Sequence, residues 1–412
     1  MGIVATVLFL VLLALALIAL APVHRPPLST LSFMIGFAAG ELAGQLLVLT
    51  VVLAWVVDAL GWPSGILGTI ALAAAVGAAL GFGALLGVAL CSRRVVGRAL
   101  ARTRGVEVHR ATRRPGWLRW WRTWLAAPLH GAGVHVHRDL AYVEDGDRAH
   151  LLDVLVPSAG VQQAPVMVFV HGGAWTIGSK EQQSLPMLFE LASRGWVVVS
   201  CNYRLSPKAT WPDHIVDVKR VLAWAKENAA AYGGDPARFL AISGNSAGGH
   251  LAALAALTPG EAAWQPGFED VDTSVDACVS LYGVLDMTGD PASAGHQGRA
   301  LQALLGNSVM KQLIADAHDT YEASSPIHRL TEHAPPFLVL HGTKDTLVSV
   351  GIARAFVAAF RALTTAPLCY VELPWAQHGY DTLCSTRCSA TVVGITQFLD
   401  ALVAARATRA VP

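Results

Sequence analysis

The pattern of apolar and polar positions divides the chain of 412 residues into two unlike parts. Residues 1–91 are apolar almost throughout. Ile3 to Ala21 is an unbroken apolar run long enough to span a bilayer. It lacks the basic leading segment of a signal peptide, so a retained helix is expected. A second span falls within Phe33 to Ala59. A third runs from about Gly65 to Leu90, after the turn Gly61-Trp62-Pro63-Ser64. Gly36, Gly40 and Gly44 are spaced by four, as are Gly77 and Gly81, and Gly83 and Gly87. Such small-residue stripes let membrane helices approach closely. Glu41 interrupts the second run. An ionisable group inside a span is a functional candidate. The alternative is a helix that starts later and leaves Glu41 at the interface.

From about residue 131 to 405 the pattern alternates. Short apolar runs lie at Leu151–Val156, Val166–Val170, Val197–Cys201, Phe239–Ile242, Val275–Leu281, Phe337–Leu340 and Leu368–Leu373. Helix-like segments, such as Asp213–Tyr232 and Gly351–Leu363, follow many of them. Strands alternating with helices predict an α/β domain with a mostly parallel, doubly wound sheet covered on both faces. A long insert, about 282–336, separates two of the strands. Its segments Leu301–Leu305 and Met310–Ile314 read as helices.

Composition agrees with the division. The chain is 53% hydrophobic and 14% charged, with a mean hydropathy of +0.46. An ordinary soluble protein carries about 25% charge. The formal net charge is only +1, but it is unevenly spread. Residues 92–122 hold ten arginines and one acid, Glu107, whereas residues 123–412 hold 19 Lys+Arg against 26 Asp+Glu, a balance of −7. The basic block therefore reads as a membrane-flanking segment. A nucleic-acid partner is not expected, because the folded domain is acidic. Arg93, Arg94, Arg98, Arg102 and Arg104 follow the third span, and Arg25 lies in the first loop. The positive-inside rule then places the catalytic domain on the cytoplasmic side. Trp117, Trp120, Trp121 and Trp124 interleave with Arg119 and Arg122, a pattern suited either to lipid headgroups or to packing on the domain. Residues 92–130 are thus expected as a basic, Trp-rich linker between a membrane region (1–91) and the domain at 131–405. Six cysteines show no metal or redox spacing. Cys384 and Cys388 are the one close pair, and free thiols are expected.

The candidate chemistry centres on Gly244-Asn245-Ser246-Ala247-Gly248. It follows the apolar run Phe239–Ile242 and opens a helical segment. G-x-S-x-G at a strand-to-helix turn presents the serine as a nucleophile. Ser246 needs a base, and His378 lies past the strand Leu368–Leu373. Asp345, past the strand Phe337–Leu340, supplies the acid that orients the imidazole. Asp381 and Asp286 are competing acids; Asp381 is too near His378 in sequence to approach it from another strand end. His171-Gly172-Gly173-Ala174-Trp175 follows the strand Val166–Val170. Its Gly172 and Gly173 N–H groups, with that of Ala247, are expected to form the oxyanion hole. His171 is expected to brace this loop, His250 to cap or pack, and Tyr203-Arg204-Leu205 to be structural.

With these motifs the chain resembles the hormone-sensitive-lipase-like branch of the α/β-hydrolases, and bacterial carboxylesterases in particular, over about residues 150–402. The carriers are His171 to Trp175, Asn202-Tyr203-Arg204-Leu205-Ser206-Pro207, Gly244 to His250, and His341-Gly342-Thr343-Lys344-Asp345. The resemblance implies a serine esterase without metal or organic cofactor, with the insert at about 282–336 as a cap over the serine. Two positions depart from the branch. Asn245 stands where it usually has an acid, and Lys208 where it often has Glu. The expected function is a membrane-anchored carboxylic-ester hydrolase acting through an acyl-enzyme on small-molecule or lipid acyl esters. The alternatives are an amidase-type hydrolase, such as an arylformamidase, and a non-catalytic membrane scaffold with a hydrolase fold. The sequence does not address oligomeric state.

Overall fold

The computed structural model describes residues 2–25, 28–107 and 133–409. Four N-terminal helices come first: α1 (Gly2–Leu20), α2 (Leu28–Glu41), α3 (Ala43–Ala59) and α4 (Gly65–Ala101). By length and composition α1 and α4 suffice to cross a membrane. The run expected as one second span is instead two helices, α2 and α3, bent by 76° at Leu42. The reason is Glu41. Its carboxylate is buried against Arg387 and Ser385 of the domain that follows, which turns α2 out of line with α3.

The helices form a small bundle. Thr6 Oγ1 donates to Leu67 O at 3.3 Å, and a Cβ on Gly77 or Gly81 would meet Leu13 or Ala16. Contacts that advance together on both helices mean that α1 and α4 run parallel. α3 ends at Ala59, α4 begins at Gly65, and the two line one cavity through Thr50, Ala54, Asp58, Leu72 and Ala79, so they pack as an antiparallel hairpin. Phe9, Ala16, Ala71, Ala78 and Phe82 form the bundle's buried seam. Its outer faces expose Ile3, Val7, Val51, Trp55, Ile66, Leu72 and Leu80.

α4 has 37 residues, about 55 Å at 1.5 Å per residue. It outruns the third span, and its end enters the folded domain. Val96 and Leu100 are buried with Cys369, Val392 and Leu399. The segment expected as linker from residue 92 is therefore helical and packed as far as Ala101. Trp117, Trp120, Trp121 and Trp124 lie outside the described residues.

The domain from Val134 onward is an eight-stranded sheet: β1 (Val134–Ala141), β2 (Leu151–Pro157), β3 (Val166–Val170), β4 (Val197–Cys201), β5 (Leu240–Asn245), β6 (Ala277–Leu281), β7 (Phe337–Gly342) and β8 (Leu368–Leu373). The order is β1-β2-β4-β3-β5-β6-β7-β8. The first two pairings are antiparallel and the rest parallel. Strands β3 to β7 are buried on both faces, which is why each reads as a continuous apolar run. The covering helices are α5 (Leu185–Ser193), α6 (Asp213–Asn228), α7 (Ala247–Leu257), α8 (Val350–Leu363) and α9 (Thr386–Arg409). α6, α7 and α8 cover one face through Leu222, Leu251 and Phe356. α5, α9 and the end of α4 cover the other through Leu188, Ile395 and Val96. α9 is also apolar enough to cross a membrane, but its apolar residues are core residues of this second layer. Gly394 of α9 lies under Val96, where a Cβ would clash.

The insert at 282–336 holds short helices at Pro291–Ala294, Gln297–Leu304 and His318–Ala323. Met310–Ile314, expected as a helix, is a turn. Lys311 takes a φ of 53° there, and Tyr321 Oη donates to Gln312 O at 2.8 Å. Cys91, Cys201, Cys278, Cys369 and Cys388 are free thiols.

Candidate active site

β5 ends at Asn245 and α7 begins at Ala247, so Ser246 alone makes the turn. Its φ is 53° and ψ is −120°, a strained conformation for a residue with a side chain. The crowding explains the glycines. A Cβ on Gly244 would sit 2.8 Å from Val170 O, and one on Gly248 would strike the Val170 and His171 backbone. The turn carries the Ser246 hydroxyl above the carboxyl ends of the strands.

The structure brings the expected triad together. Ser246 Oγ lies 2.9 Å from His378 Nε2, and His378 Nδ1 lies 2.7 Å from Asp345 Oδ2. Asp345 Oδ1 accepts from the Leu347 and Val348 N–H groups, each at 2.9 Å. Burial works against its charge, but His378 and His341 beside it hold the carboxyl below the usual range. His341 Nε2 is 3.2 Å from Asp345 Oδ2 and 3.0 Å from Val348 O. Gln377 braces the two loops, because its Oε1 accepts from Thr346 N at 2.7 Å and from His378 N at 2.9 Å.

The three expected oxyanion donors differ in what they meet. Gly172 N–H donates to Gln183 Oε1 at 2.8 Å, so it is already engaged. Gly172 acts instead by being small: a Cβ there would lie 2.6 Å from Asn245 O and 3.1 Å from Ser246 Cβ. Among the described residues, no acceptor meets the N–H of Gly173 or of Ala247. Gly173 has a φ of 120°, and Ala247 opens α7, whose dipole favours negative charge at that end.

The supporting residues fall where expected. His171 Nδ1 donates to Gly172 O at 2.7 Å, and its ring stacks on Tyr203. Burial lowers its pKa to about 4. His250 accepts from Trp175 Nε1 at 3.2 Å and donates to Ser324 O at 2.8 Å. It too is pushed down to about 4 by burial. Arg204 pairs with Asp217 and Asp213. Asp286 accepts from Thr288 and takes no part.

Asp381 does not orient His378, but it is not idle. Its carboxylate accepts from Tyr282 Oη and Ser184 Oγ, and burial raises its pKa. Asn245 Nδ2 donates to Tyr282 Oη at 3.1 Å and to Ser184 Oγ at 3.3 Å. The Tyr282 ring lies 4.5 Å from that of His378. A buried carboxyl, Asp381, thus lies one hydrogen bond beyond Tyr282 and Ser184 from Asn245. No spacing in the sequence signals this network. Nor does any signal α2, which lies across the site with Phe33 edge-on to His378, ring centroids 5.9 Å apart.

Comparison with known proteins agrees with this architecture. The profile of the BD-FAE family matches residues 152–360. The "Probable carboxylic ester hydrolase LipM" of Mycobacterium tuberculosis is 46% identical over 275 residues, covering 65% of this chain and 62% of LipM. "Esterase LipC" of the same organism is 42% identical over 286 residues, covering 68% of this chain and 70% of LipC. The chain thus spans about three fifths of the length of LipM. Among solved structures, esterase B from Lactobacillus rhamnosis superimposes with a TM-score of 0.57 at 20% identity, over 77% of this chain and 98% of that one. At that identity the likeness speaks for the fold alone.

Proposed function

The chain belongs to the BD-FAE family, in the hormone-sensitive-lipase-like branch of the α/β-hydrolases, and on that premise we propose that it is a membrane-anchored serine hydrolase of carboxylic esters. The observation that carries the reading is the unbroken relay from Ser246 Oγ through His378 to Asp345, at 2.9 and 2.7 Å. As Ser246 Oγ bonds to the ester carbon, its proton moves to His378 Nε2 and the carbonyl oxygen becomes an oxyanion. The N–H groups of Gly173 and Ala247, two of the three expected donors, receive that charge, while that of Gly172 is held by Gln183. Collapse of the intermediate breaks the bond to the alcohol, which leaves with the proton from His378. Water then gives a proton to His378 and its oxygen to the acyl carbon. Ser246 departs protonated and the acid is released. Asp345 stays ionised throughout and holds the imidazole with Nε2 toward the serine.

The names of the relatives favour esters over formamides, and Trp175 of the HGG-W loop is buried against His250 rather than facing the serine. Ser246→Ala should lower kcat on p-nitrophenyl acyl esters by at least about 10³-fold. Unchanged hydrolysis would remove the serine mechanism. A higher kcat/KM on aryl formamides than on matched esters would replace the ester reading by the amidase one.

For the helices, the reading is that α1, α3 and α4 cross the bilayer. Their outer faces expose large apolar side chains, Ile3, Trp55, Ile66 and Leu80 among them, and extensive exposed apolar surface of this kind suits contact with lipid. The arginines from Arg93 onward then put the catalytic domain on the cytoplasmic side.

A further inference from the structure

α2 is not one of the crossing helices. At 14 residues it is about 21 Å long, and its 76° bend from α3 turns it away from that helix. It is instead fixed along the carboxyl-end face of the sheet at successive turns. Ser29 O accepts from Thr346 Oγ1 at 3.1 Å, one residue from the catalytic Asp345. One turn on, Phe33 meets His378 edge-on. A Cβ on Gly36 would sit 3.5 Å from Gln377 Nε2. At the far end the Glu41 carboxylate is held by Ser385 Oγ and Arg387, at the start of α9. Positions 29, 33 and 36 keep to one side of the helix, and Glu41 fixes its far end. Phe33, stacked on Phe37, is the ring on that side that meets the catalytic imidazole.

The opposite side of α2 is apolar and open. Leu28, Leu31 and Met34 are 55%, 58% and 58% exposed. α2 lies against the foot of the bundle, since Gly36 also packs on Ala19 at the end of α1, and α3 begins two residues after Glu41. His378 therefore lies where the bundle meets the hydrolase domain, beneath a helix whose outer side is apolar.

We propose that α2 is the membrane-side wall of the active site, and that Phe33 selects esters whose long acyl chain is drawn from the bilayer. This rests on the serine-esterase reading above. With the ester carbon at Ser246, a long acyl chain leaves the polar oxyanion side, passes Phe33 and lies along α2 toward the lipid. A two-carbon acyl group ends before it meets that wall. Each methylene moved from water to such a wall is worth about fourfold in kcat/KM, so selectivity accumulates with length. Phe33 is a specificity-determining residue in this account, and Glu41 with Arg387 is the clasp that holds its helix in place.

The test uses the full-length protein in phosphatidylcholine vesicles and p-nitrophenyl esters from acetate to laurate. The readout is the ratio of kcat/KM on laurate to that on acetate. Phe33→Ala should lower this ratio at least tenfold relative to wild type, through a raised KM for laurate. Phe33→Leu keeps an apolar side chain but removes the ring edge. It should lower the ratio in the same direction, and it carries the test if the alanine variant does not fold. A ratio within twofold of wild type in a folded variant overturns the proposal. So does an equal loss on both esters, which would make Phe33 a support for His378 alone. Failure of the esterase reading would look different, because Ser246→Ala would then hydrolyse both esters as wild type does.

Discussion

Ser246 takes a backbone conformation that its glycine neighbours make possible. Gly172, Gly244 and Gly248 each stand where a Cβ would meet backbone of an adjoining strand or loop. That crowding is the physical content of the G-x-S-x-G and His-Gly-Gly patterns, and it is why both were legible in the sequence. Which glycine N–H is free was not legible, because Gln183, which takes that of Gly172, is eleven residues away and carries no motif. Asp345 supplies a prediction at this scale. Its carboxyl titrates lower in the folded protein than its ordinary value of 3.8. The folded state therefore binds fewer protons there than the unfolded state, and the stabilisation is full above about pH 4 and fades below it. Asp345→Asn should lower kcat by about 10⁴-fold, as loss of the orienting acid does in this kind of triad. Its deficit in Tm against wild type should narrow as the pH falls below about 4. A deficit that stays constant from pH 7 to 3 would show that ionised Asp345 adds nothing to stability.

The elements that carry a single period were readable from their pattern alone. Strands β3, β4 and β8 have the limits the apolar runs gave them, and α8 begins one residue earlier than expected. β1 was missed because its sequence Val134-His135-Val136-His137 alternates with polar residues. It is an edge strand, half exposed, and reads as neither core nor loop. α2 was hidden for a different reason. Its composition matches that of a membrane span, and only the tertiary pairing of Glu41 with Arg387, 346 residues apart, turns it onto the domain. This clasp has side-chain exposures of 1% and 0%, so removing one partner leaves a buried charge alone. Glu41→Ala is expected to destabilise by about 3–5 kcal/mol, and the double variant Glu41→Met with Arg387→Met to recover most of that. Thermal unfolding of the full chain in detergent measures both. Equal melting temperatures for Glu41→Ala and wild type would mean that α2 is not held by this pair.

At the scale of the whole molecule, the bundle and the hydrolase-like domain are not two beads on a linker. α4 runs from the bundle into the second core layer at Val96 and Leu100, and α2 runs from the bundle across His378. A chain cut at residue 131 would lose both, so the proposed esterase activity and chain-length preference are to be measured on the whole chain. The parallel course of α1 and α4, which pack directly on each other, with α3 antiparallel beside α4, brings the ends of α1 and α4 to the domain's side of the bundle. A reporter fused after Pro412 should be active in the cytoplasm; activity confined to the opposite side would reverse the topology. The central claim, however, is chemical: Ser246 is the residue that becomes acylated. It is tested most directly by treating the full-length protein with a fluorophosphonate and locating the adduct by peptide mass spectrometry. The account predicts one adduct, on Ser246, absent from the His378→Ala variant and accompanied by complete loss of ester hydrolysis. Hydrolysis that survives stoichiometric labelling, or an adduct on a residue other than Ser246, would contradict it.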